Sequence, residues 1–369
     1  MRIATLILAA GLSSRMGTFK PLIQLAGKSL LGCCQTLFQE CGLQEIVAVV
    51  GHRADETEAE AASLAIRCVR NTDYPTGMFS SIQCGVRSLP KKTEAFFVLP
   101  VDIPLIRPAT LRKILTAAAI NKKAIIYPVF AGRRGHPPLI PASLIPAILA
   151  HDGRGGLETL LDRHKGIDIA VWDEGIHLDA DTPADLERLK RRLARISIPN
   201  RQEIDALAGQ LLTKKGLAHS RMVCRAATAL AQVLNDQGCS LDLDLIYGGA
   251  LLHDVAKGQH RHEIGGAEML AALGLKEIAS IAAAHMDLEI SPTGELTEKE
   301  VVCLADKFIS GTRRTGIETR YVEKFKIFAG DQKICRQILG KKERALALKD
   351  RAEHMSGKRM ESILNEAGL

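Results

Sequence analysis

The chain has 369 residues, 46% of them hydrophobic and 25% charged, the balance of a globular protein with room for two domains of common size. Its formal net charge of +7 suits anionic ligands, but aromatic residues make up only 4%, too few for platforms that stack single strands, so no nucleic-acid partner is expected. No apolar run approaches the ~20 residues that cross a bilayer. The nine cysteines show no CxxC pair and no regular spacing, which argues against a disulfide framework or zinc knuckle and for a reducing cytoplasm.

The opening "MRIATLILAAGL" has one basic residue and a short apolar run. No secretory leader is expected there, because the run leads straight into a glycine loop without a cleavage region. Apolar runs at 3–10, 46–50, 96–101 and 124–129 predict buried strands, with helical stretches near 30–41, 54–66 and 109–120 between them. This alternation predicts a Rossmann-like α/β domain with a mostly parallel sheet and helices on both faces. Such sheets bind ligands at the carboxyl ends of their strands, where Gly11 and Asp102 both fall.

The basic cluster Arg188, Lys190, Arg191, Arg192 and Arg195 reads as a solvated helix end and linker. "ISIPNRQ" follows, with Pro199 stopping one helix and Asn200 starting the next. The predicted division is 1–194, a linker at 195–204, and 205–369. The second domain reads as all-α, with helices at 203–214, 219–235, 243–256, 263–272, 275–286 and 298–310. The tail after Gly330 reads as an amphipathic packing helix that carries no chemistry.

Two sets of residues carry chemistry. In the first, Gly11 follows a strand and precedes Ser13, Ser14, Arg15, Gly17 and Lys20. Glycine lets the backbone approach phosphate oxygens, whose charge free amides then meet. Arg15 and Lys20 add positive charge where a pyrophosphate leaving group gains negative charge. Asp102 and Asp181 offer the hard oxygens that magnesium prefers. Either could instead cap a helix, before "PLIRPATL" or "TPADLERL". In the second set, His219, the adjacent His253–Asp254 pair and Asp306 combine imidazole and carboxylate, which suits manganese, iron, nickel or zinc. A divalent ion there lowers the pKa of a bound water and polarises a phosphoryl oxygen. His260 reads as solvated. Lys257 either contacts a substrate phosphate or is a helix C-terminal lysine.

The first set resembles a known family. "LAAGLSSRMGTFKP", "VLPVDIPLI", "NTDYPTGMFSSIQCGV", "GRRGHPPLI" and "HLDADTPADLERL" occur in the order found in the nucleotidyltransferase superfamily, in particular its molybdenum-cofactor dinucleotide branch. The likeness spans roughly 2–192. It implies a nucleotide site of Ala9, Ala10, Gly11, Ser13, Ser14, Arg15, Lys20, Asn71, Gly77, Ser80 and Ser81. It also implies an acceptor pocket at Arg134, Gly135, His136 and Pro137. Magnesium would sit on Asp102 and Asp181, with Asp179 as the alternative to Asp181. Arg15, Lys20 and Asp102 are then the catalytic residues. Ala9-Ala10-Gly11 and "GMFSSIQCG" resemble the cytidylyl branch more than the guanylyl branch. CTP and a molybdopterin-type phosphate are thus the expected substrates, with another NTP, or a sugar- or alcohol-phosphate acceptor, as the alternatives.

The second set, in the order H…HD…D over roughly 205–320, resembles the HD superfamily of metal-dependent phosphohydrolases, with His253 and Asp254 at the catalytic centre. His262 and His285 resemble the extra ligands of HD subgroups that hold two metals. One or two divalent transition ions on His219, His253, Asp254, Asp306, His262 and His285 are therefore expected. The alternative is a nucleotide-sensing domain without turnover. A bifunctional cytoplasmic enzyme is the resulting expectation, with no membrane contact and a molybdoenzyme or its maturation chaperone as candidate partner.

Overall fold

The computed structural model describes residues 1–288 and 294–369. Its internal contacts divide the chain into Met1–Arg195 and Ile196–Leu369.

The amino-terminal unit is built on an eight-stranded mixed sheet. In chain order its main elements are β1 (Ile3–Ala9), α1 (Leu30–Gln39), β2 (Ile46–Val50), α2 (Ala54–Ser63), β3 (Arg67–Arg70), α3 (Met78–Ser88), β4 (Ala95–Pro100) and α4 (Pro108–Ile120). They continue with β5 (Ile125–Phe130), β6 (Leu139–Pro141), α5 (Ile145–Ala150), α6 (Gly156–Leu161), β7 (Gly166–Ala170) and α7 (Pro183–Ala194). The sheet order is β7-β5-β6-β4-β1-β2-β3, and the two-residue strand Arg133–Arg134 pairs with β5. Neighbours in this order run parallel except β6, which is antiparallel to both β4 and β5, and the Arg133–Arg134 strand is antiparallel to β5.

Helices cover both faces, as side-chain alternation along the strands requires. Leu6, Leu8, Val47, Val49, Phe96 and Val98 form one buried cluster with Phe79, Ile82 and Val86 of α3. Phe97, pointing the other way, packs against Phe38 of α1 with ring centroids 5.5 Å apart. Strands buried on both faces read as continuous apolar runs, and the four predicted strands match β1, β2, β4 and β5 within a residue or two. The strands of this sheet that the sequence reading missed are β3, β6, β7 and the two-residue strand Arg133–Arg134.

Among the described residues, the second unit is helical apart from one small hairpin. It contains α8 (Arg201–Leu211), α9 (Lys214–Asp236), α10 (Leu243–Leu252), α11 (His262–Ala272), α12 (Lys276–Ala284), α13 (Glu298–Lys307), α14 (Ile317–Ile327), α15 (Gln332–Ser356) and α16 (Met360–Glu366). Asn200 opens α8 through a reciprocal capping box with Glu203. Predicted helix bounds are corrected at three places. The 203–214 helix stops at Leu211, and α9 opens at Lys214 rather than at 219. The 243–256 helix stops at Leu252, so His253 is its C-cap and Asp254 lies in the turn beyond. The 298–310 helix stops at Lys307, where the chain enters an antiparallel hairpin of Ile309–Ser310 with Arg313–Arg314. The tail forms two helices, α15 and α16, and α15 buries Ile338, Ala345, Leu348 and Ala352. Among the described residues no helix is long and apolar enough to cross a membrane.

Candidate active sites

The loop after β1 folds back on itself. Ser13 adopts a left-handed backbone (φ 56°), and its Oγ accepts from the Lys20 amide at 3.1 Å. Lys20 then opens a short 3-10 turn with Pro21 behind it. At the end of β4, the Val101 amide donates to the Leu8 carbonyl, and Asp102 follows. The Asp102 carbonyl accepts from the Ala180 amide at 2.8 Å, which brings the 179–181 segment alongside. Neither aspartate is a helix cap. Thr182, boxed with Asp185, caps α7, and Arg107 precedes α4 without a side-chain cap.

Lys20 joins the two carboxylates. Its Nζ lies 2.7 Å from Asp102 Oδ2 and 2.6 Å from Asp181 Oδ1, and Arg15 reaches Asp181 Oδ2 at 2.9 Å. Burial pulls the Lys20 pKa down, but the hydrogen bonds and charges of Asp102 and Asp181 outweigh it and the pKa is raised. The Asp179 carboxyl is pushed up by burial and by the charges of Asp181 and Asp102. Three crowded carboxylates of this kind favour a cation.

These groups line a cleft of about 550 Å³. Ala9, Ala10, Gly11, Ser13, Arg15 and Lys20 form one wall. Gly77 and Ser81, at the amino end of α3, form another, and Asp102, His136, Asp179 and Asp181 close it. A Cβ at Gly11 would meet no protein atom within 4 Å, so protein packing does not demand glycine there.

Ser14, Asn71, Ser80, Arg134, Gly135 and Pro137 are not among the described residues lining this cleft. Asn71 is buried and braces α3, its Nδ2 donating to Ser80 Oγ at 2.9 Å and Ser81 Oγ at 3.0 Å. Arg134 lies 4.0 Å over the Tyr127 ring and pairs with Asp168 at 2.7 Å. Gly135 passes so close to Ile176 that a Cβ would sit 2.7 Å from the Ile176 carbonyl oxygen. That packing delivers His136 to the cleft, where burial lowers its pKa and its Nδ1 is left buried without a hydrogen-bond partner.

In the second unit, Asp254 lies between two groups of histidines. Its Oδ2 faces His219 Nε2 and His253 Nε2, each at 3.6 Å. Its Oδ1 faces His262 Nε2 and His285 Nε2, each at 3.4 Å. Asp306 Oδ1 completes the first group, 3.4 Å from His219 and 3.8 Å from His253. Ligand atoms of His219, His253 and Asp254, and again of Asp254, His262 and His285, lie within 4.8 Å of one another.

The rings are held for metal binding by their other nitrogens. His219 Nδ1 donates to the Gly311 carbonyl at 2.9 Å, His253 Nδ1 to Ala250 at 2.7 Å and His285 Nδ1 to Ala282 at 2.6 Å. Such bonds leave Nε2 with a free lone pair aimed inward. His219 Nε2 and His253 Nε2 are buried with no hydrogen-bond partner, so the donor set fits a divalent cation. Burial takes the His253 pKa down to about 4, which keeps the ring neutral.

Burial alone would raise both carboxylate pKa values. The Asp306 carboxyl is nonetheless held well below its usual range by Lys307, Arg320 and His219, and that of Asp254 by His285, His253 and Lys257. Lys257 is paired with Asp254 Oδ2 and is largely exposed. Lys307 and Arg320 escaped the sequence reading. Lys307 Nζ donates to the His285 carbonyl at 2.7 Å and lies 3.3 Å from Asp306 Oδ2, which Arg320 also holds at 3.1 Å. The sequence gives no signal for Arg320, fourteen residues beyond Asp306.

Fold and sites together describe a nucleotidyltransferase followed by an HD unit whose donor set fits a divalent cation. The MobA-like NTP transferase domain family matches residues 5–167 and the HD domain family matches residues 216–311. The chain thus joins a MobA-like NTP transferase domain to an HD domain. It is 28% identical over 193 residues to the molybdenum cofactor cytidylyltransferase of Escherichia coli, over 52% of this chain and 97% of that protein. It is 29% identical over 192 residues to nicotine blue oxidoreductase of Paenarthrobacter nicotinovorans, over 50% and 94%. The solved structure of Rv0371c from Mycobacterium tuberculosis aligns with a TM-score of 0.47 at 26% identity, over 52% of this chain and 98% of that one.

Proposed function

We propose that residues 1–192 transfer a cytidylyl group from CTP to a molybdopterin-type phosphate and release pyrophosphate. The observation that carries this is the meeting of Asp102 and Asp181 at Lys20 in a cleft walled by the Ala9-Ala10-Gly11 loop. Magnesium held by the two aspartates would draw charge from the triphosphate oxygens. Bare Gly11 lets the triphosphate lie against the loop amides. Arg15 and Lys20 neutralise the departing pyrophosphate, with Lys20 turning from the carboxylates to the phosphates. The cleft holds the acceptor phosphate in line with the α-phosphorus, and that positioning is most of the catalysis. His136, neutral and with an unpartnered nitrogen, orients the acceptor. A screen of pyrophosphate release over four NTPs, with molybdopterin and with sugar and alcohol phosphates as acceptors, tests the assignment. Preference for GTP would move the protein to the guanylyl branch, and preference for a sugar phosphate would remove molybdopterin.

In the same reading, the HD unit hydrolyses a phosphate ester. Asp254, with one oxygen toward each histidine group, supports a site for two ions: His219, His253 and Asp306 on one side, His262 and His285 on the other. Bound ions there would supply an activated water and polarise the phosphoryl group. Lys307 and Arg320 fix Asp306, and Lys257 meets the substrate phosphate. Metal-dependent release of p-nitrophenol from bis(p-nitrophenyl) phosphate, lost in His253→Ala, separates this from a sensing domain.

A further inference from the structure

Helices α15 and α16 lie beyond the residues that match the HD family. Neither supplies a residue of the histidine–aspartate cluster, yet each grips the chain beside one half of it. α16 buries Met360, Ile363 and Leu364 and packs against α9. Arg225, further along α9 than His219, donates to the Ala367 and Gly368 carbonyls at 2.6 and 3.0 Å. Arg314, on the hairpin, donates to Asn365 Oδ1 at 2.5 Å, the Glu361 carbonyl at 3.3 Å and the Leu369 carbonyl at 3.4 Å. Residues 361–369 therefore tie α9 to the hairpin. Those two elements meet where His219 Nδ1 donates to the Gly311 carbonyl, the bond that aims Nε2. α15 stands in the same relation to His285. Arg351 docks it on α13 through Glu300 Oε1 at 2.9 Å and on the Gly294 and Glu295 carbonyls at 3.0 and 2.8 Å. About two turns earlier on the same face, Arg344 grips Asp287 with a fork, Nε to Oδ1 at 2.9 Å and Nη2 to Oδ2 at 2.6 Å. Asp287 follows His285 and Met286, and Lys307 holds the His285 carbonyl at 2.7 Å. The chain leaving His285 is thus pinned at two points.

We propose that α15 and α16 form a positioning frame for the cluster, one helix for each group of histidines. α16 sets His219 through Arg314 and the hairpin, and α15 sets His285 through Arg344 and Asp287. This rests on the reading of these histidines as metal ligands. Arg314 and Arg344 are positioning residues, acting on the ligands through the backbone. An ion holds its ligands only when their distances fall within about 0.2 Å of the usual bond lengths, so a ring whose backbone is released loses the ion. Charge works in the opposite direction. Each arginine is positive, so removing its charge alone would tighten cation binding. Removing its hold on the ring loosens it. Lysine keeps the charge but cannot reproduce the fork. The Arg344 and Asp287 side chains are 42% and 32% exposed, and such pairs add little to stability, so the fold should survive their separation.

Competition of the full chain with a chelator for Zn²⁺ tests this, because imidazole suits zinc better than the carboxylates of the first unit do. In a His285→Ala chain, Arg314→Met should weaken the remaining ion by about tenfold or more, the scale of losing a ligand's supporting partner. Arg344→Met in that chain should change nothing. In a His219→Ala chain the order reverses, with Arg344→Met weakening the remaining ion and Arg314→Met leaving it alone. Arg344→Lys should weaken it as Arg344→Met does. Melting temperatures separate local loss from unfolding. If Arg314→Met melts lower, Asn365→Ala, which removes one of the three oxygens held by Arg314, should still loosen the His219 ion and spare the other. Tighter binding in the methionine variants, equal losses in both backgrounds, or no loss in either would overturn the frame while leaving the cluster standing. Failure of the parent chain to bind zinc at all would defeat the metal-ligand reading beneath it.

Discussion

The ammonium of Lys20 lies 2.7 Å from Asp102, on the carboxylate that the proposed reaction assigns to magnesium. The same nitrogen holds Asp181 at 2.6 Å. Without substrate, then, a lysine neutralises the carboxylates, and metal and lysine compete for them. Lys20→Ala should therefore bind Mn²⁺ more tightly in the absence of nucleotide, by about tenfold. Electron paramagnetic resonance on a chain that also carries His253→Ala and Asp254→Ala, which removes the carboxylate shared by both histidine groups, reads this at the first site. Turnover should fall at the same time, because the triphosphate loses its cation. Weaker Mn²⁺ binding would mean that Lys20 supports the metal.

The second site predicts a stoichiometry. Wild-type protein should carry about two transition ions there, and His285→Ala about one, because Asp254 Oδ1 and His262 alone make a poor site. His253→Ala should lose phosphoesterase activity altogether. Elemental analysis that finds one ion in both wild type and His285→Ala would reduce the centre to a mononuclear one.

Gly135→Ala tests how the acceptor loop is delivered. The new Cβ would sit 2.7 Å from the Ile176 carbonyl oxygen, so the backbone must shift. A loss of about 2 kcal/mol in stability is expected, together with a larger rise in acceptor KM than in nucleotide KM. Kinetics changed equally for both substrates would detach His136 from the acceptor.

A pH test is available at Lys324. Burial, with Arg320 and Lys307 adding repulsion, lowers its pKa from 10.5 to about 8. The folded state thus resists protonation, and the penalty is complete below pH 8 and fades as pH rises from 8 to 10.5. The shift corresponds to about 3 kcal/mol, and solvent screening of a half-buried side chain cuts this to about 1 kcal/mol. Lys324→Met should stabilise the protein at pH 7 by that amount and by nothing above pH 10.5, as denaturant melts at the two pH values would show.

What the sequence revealed followed from physics that is local in the chain. β1, β2, β4 and β5 lie inside the sheet, so their apolar runs are continuous. β3 and β7 are its edges, and "RCVR" and "GIDIA" keep half their residues toward water, which hides the strand signal. β6 is three residues ending in proline. The helix ends at Leu252 and Lys307 depend on packing that the sequence does not display. The same divide runs through the sites. Gly11, Lys20, Asp102, His253 and Asp254 were readable because the chemistry needs those residue types after strands or side by side. Lys307 holds Asp306 and the His285 carbonyl, Arg320 holds Asp306, and the Arg134 side chain is engaged by Tyr127 and Asp168, contacts made by packing that no motif encodes.

The central claim is that Asp102 and Asp181 hold the metal for nucleotidyl transfer in the cleft of the first unit. The most direct test is pyrophosphate release from CTP with a molybdopterin acceptor, comparing wild type with Asp102→Asn. The substitution keeps the side-chain shape and leaves Lys20 paired with Asp181, so the melting temperature should change little. Turnover should fall by about 100-fold or more, the scale of losing one electrostatic support at the reacting phosphates. Undiminished pyrophosphate release from a folded Asp102→Asn protein would contradict it.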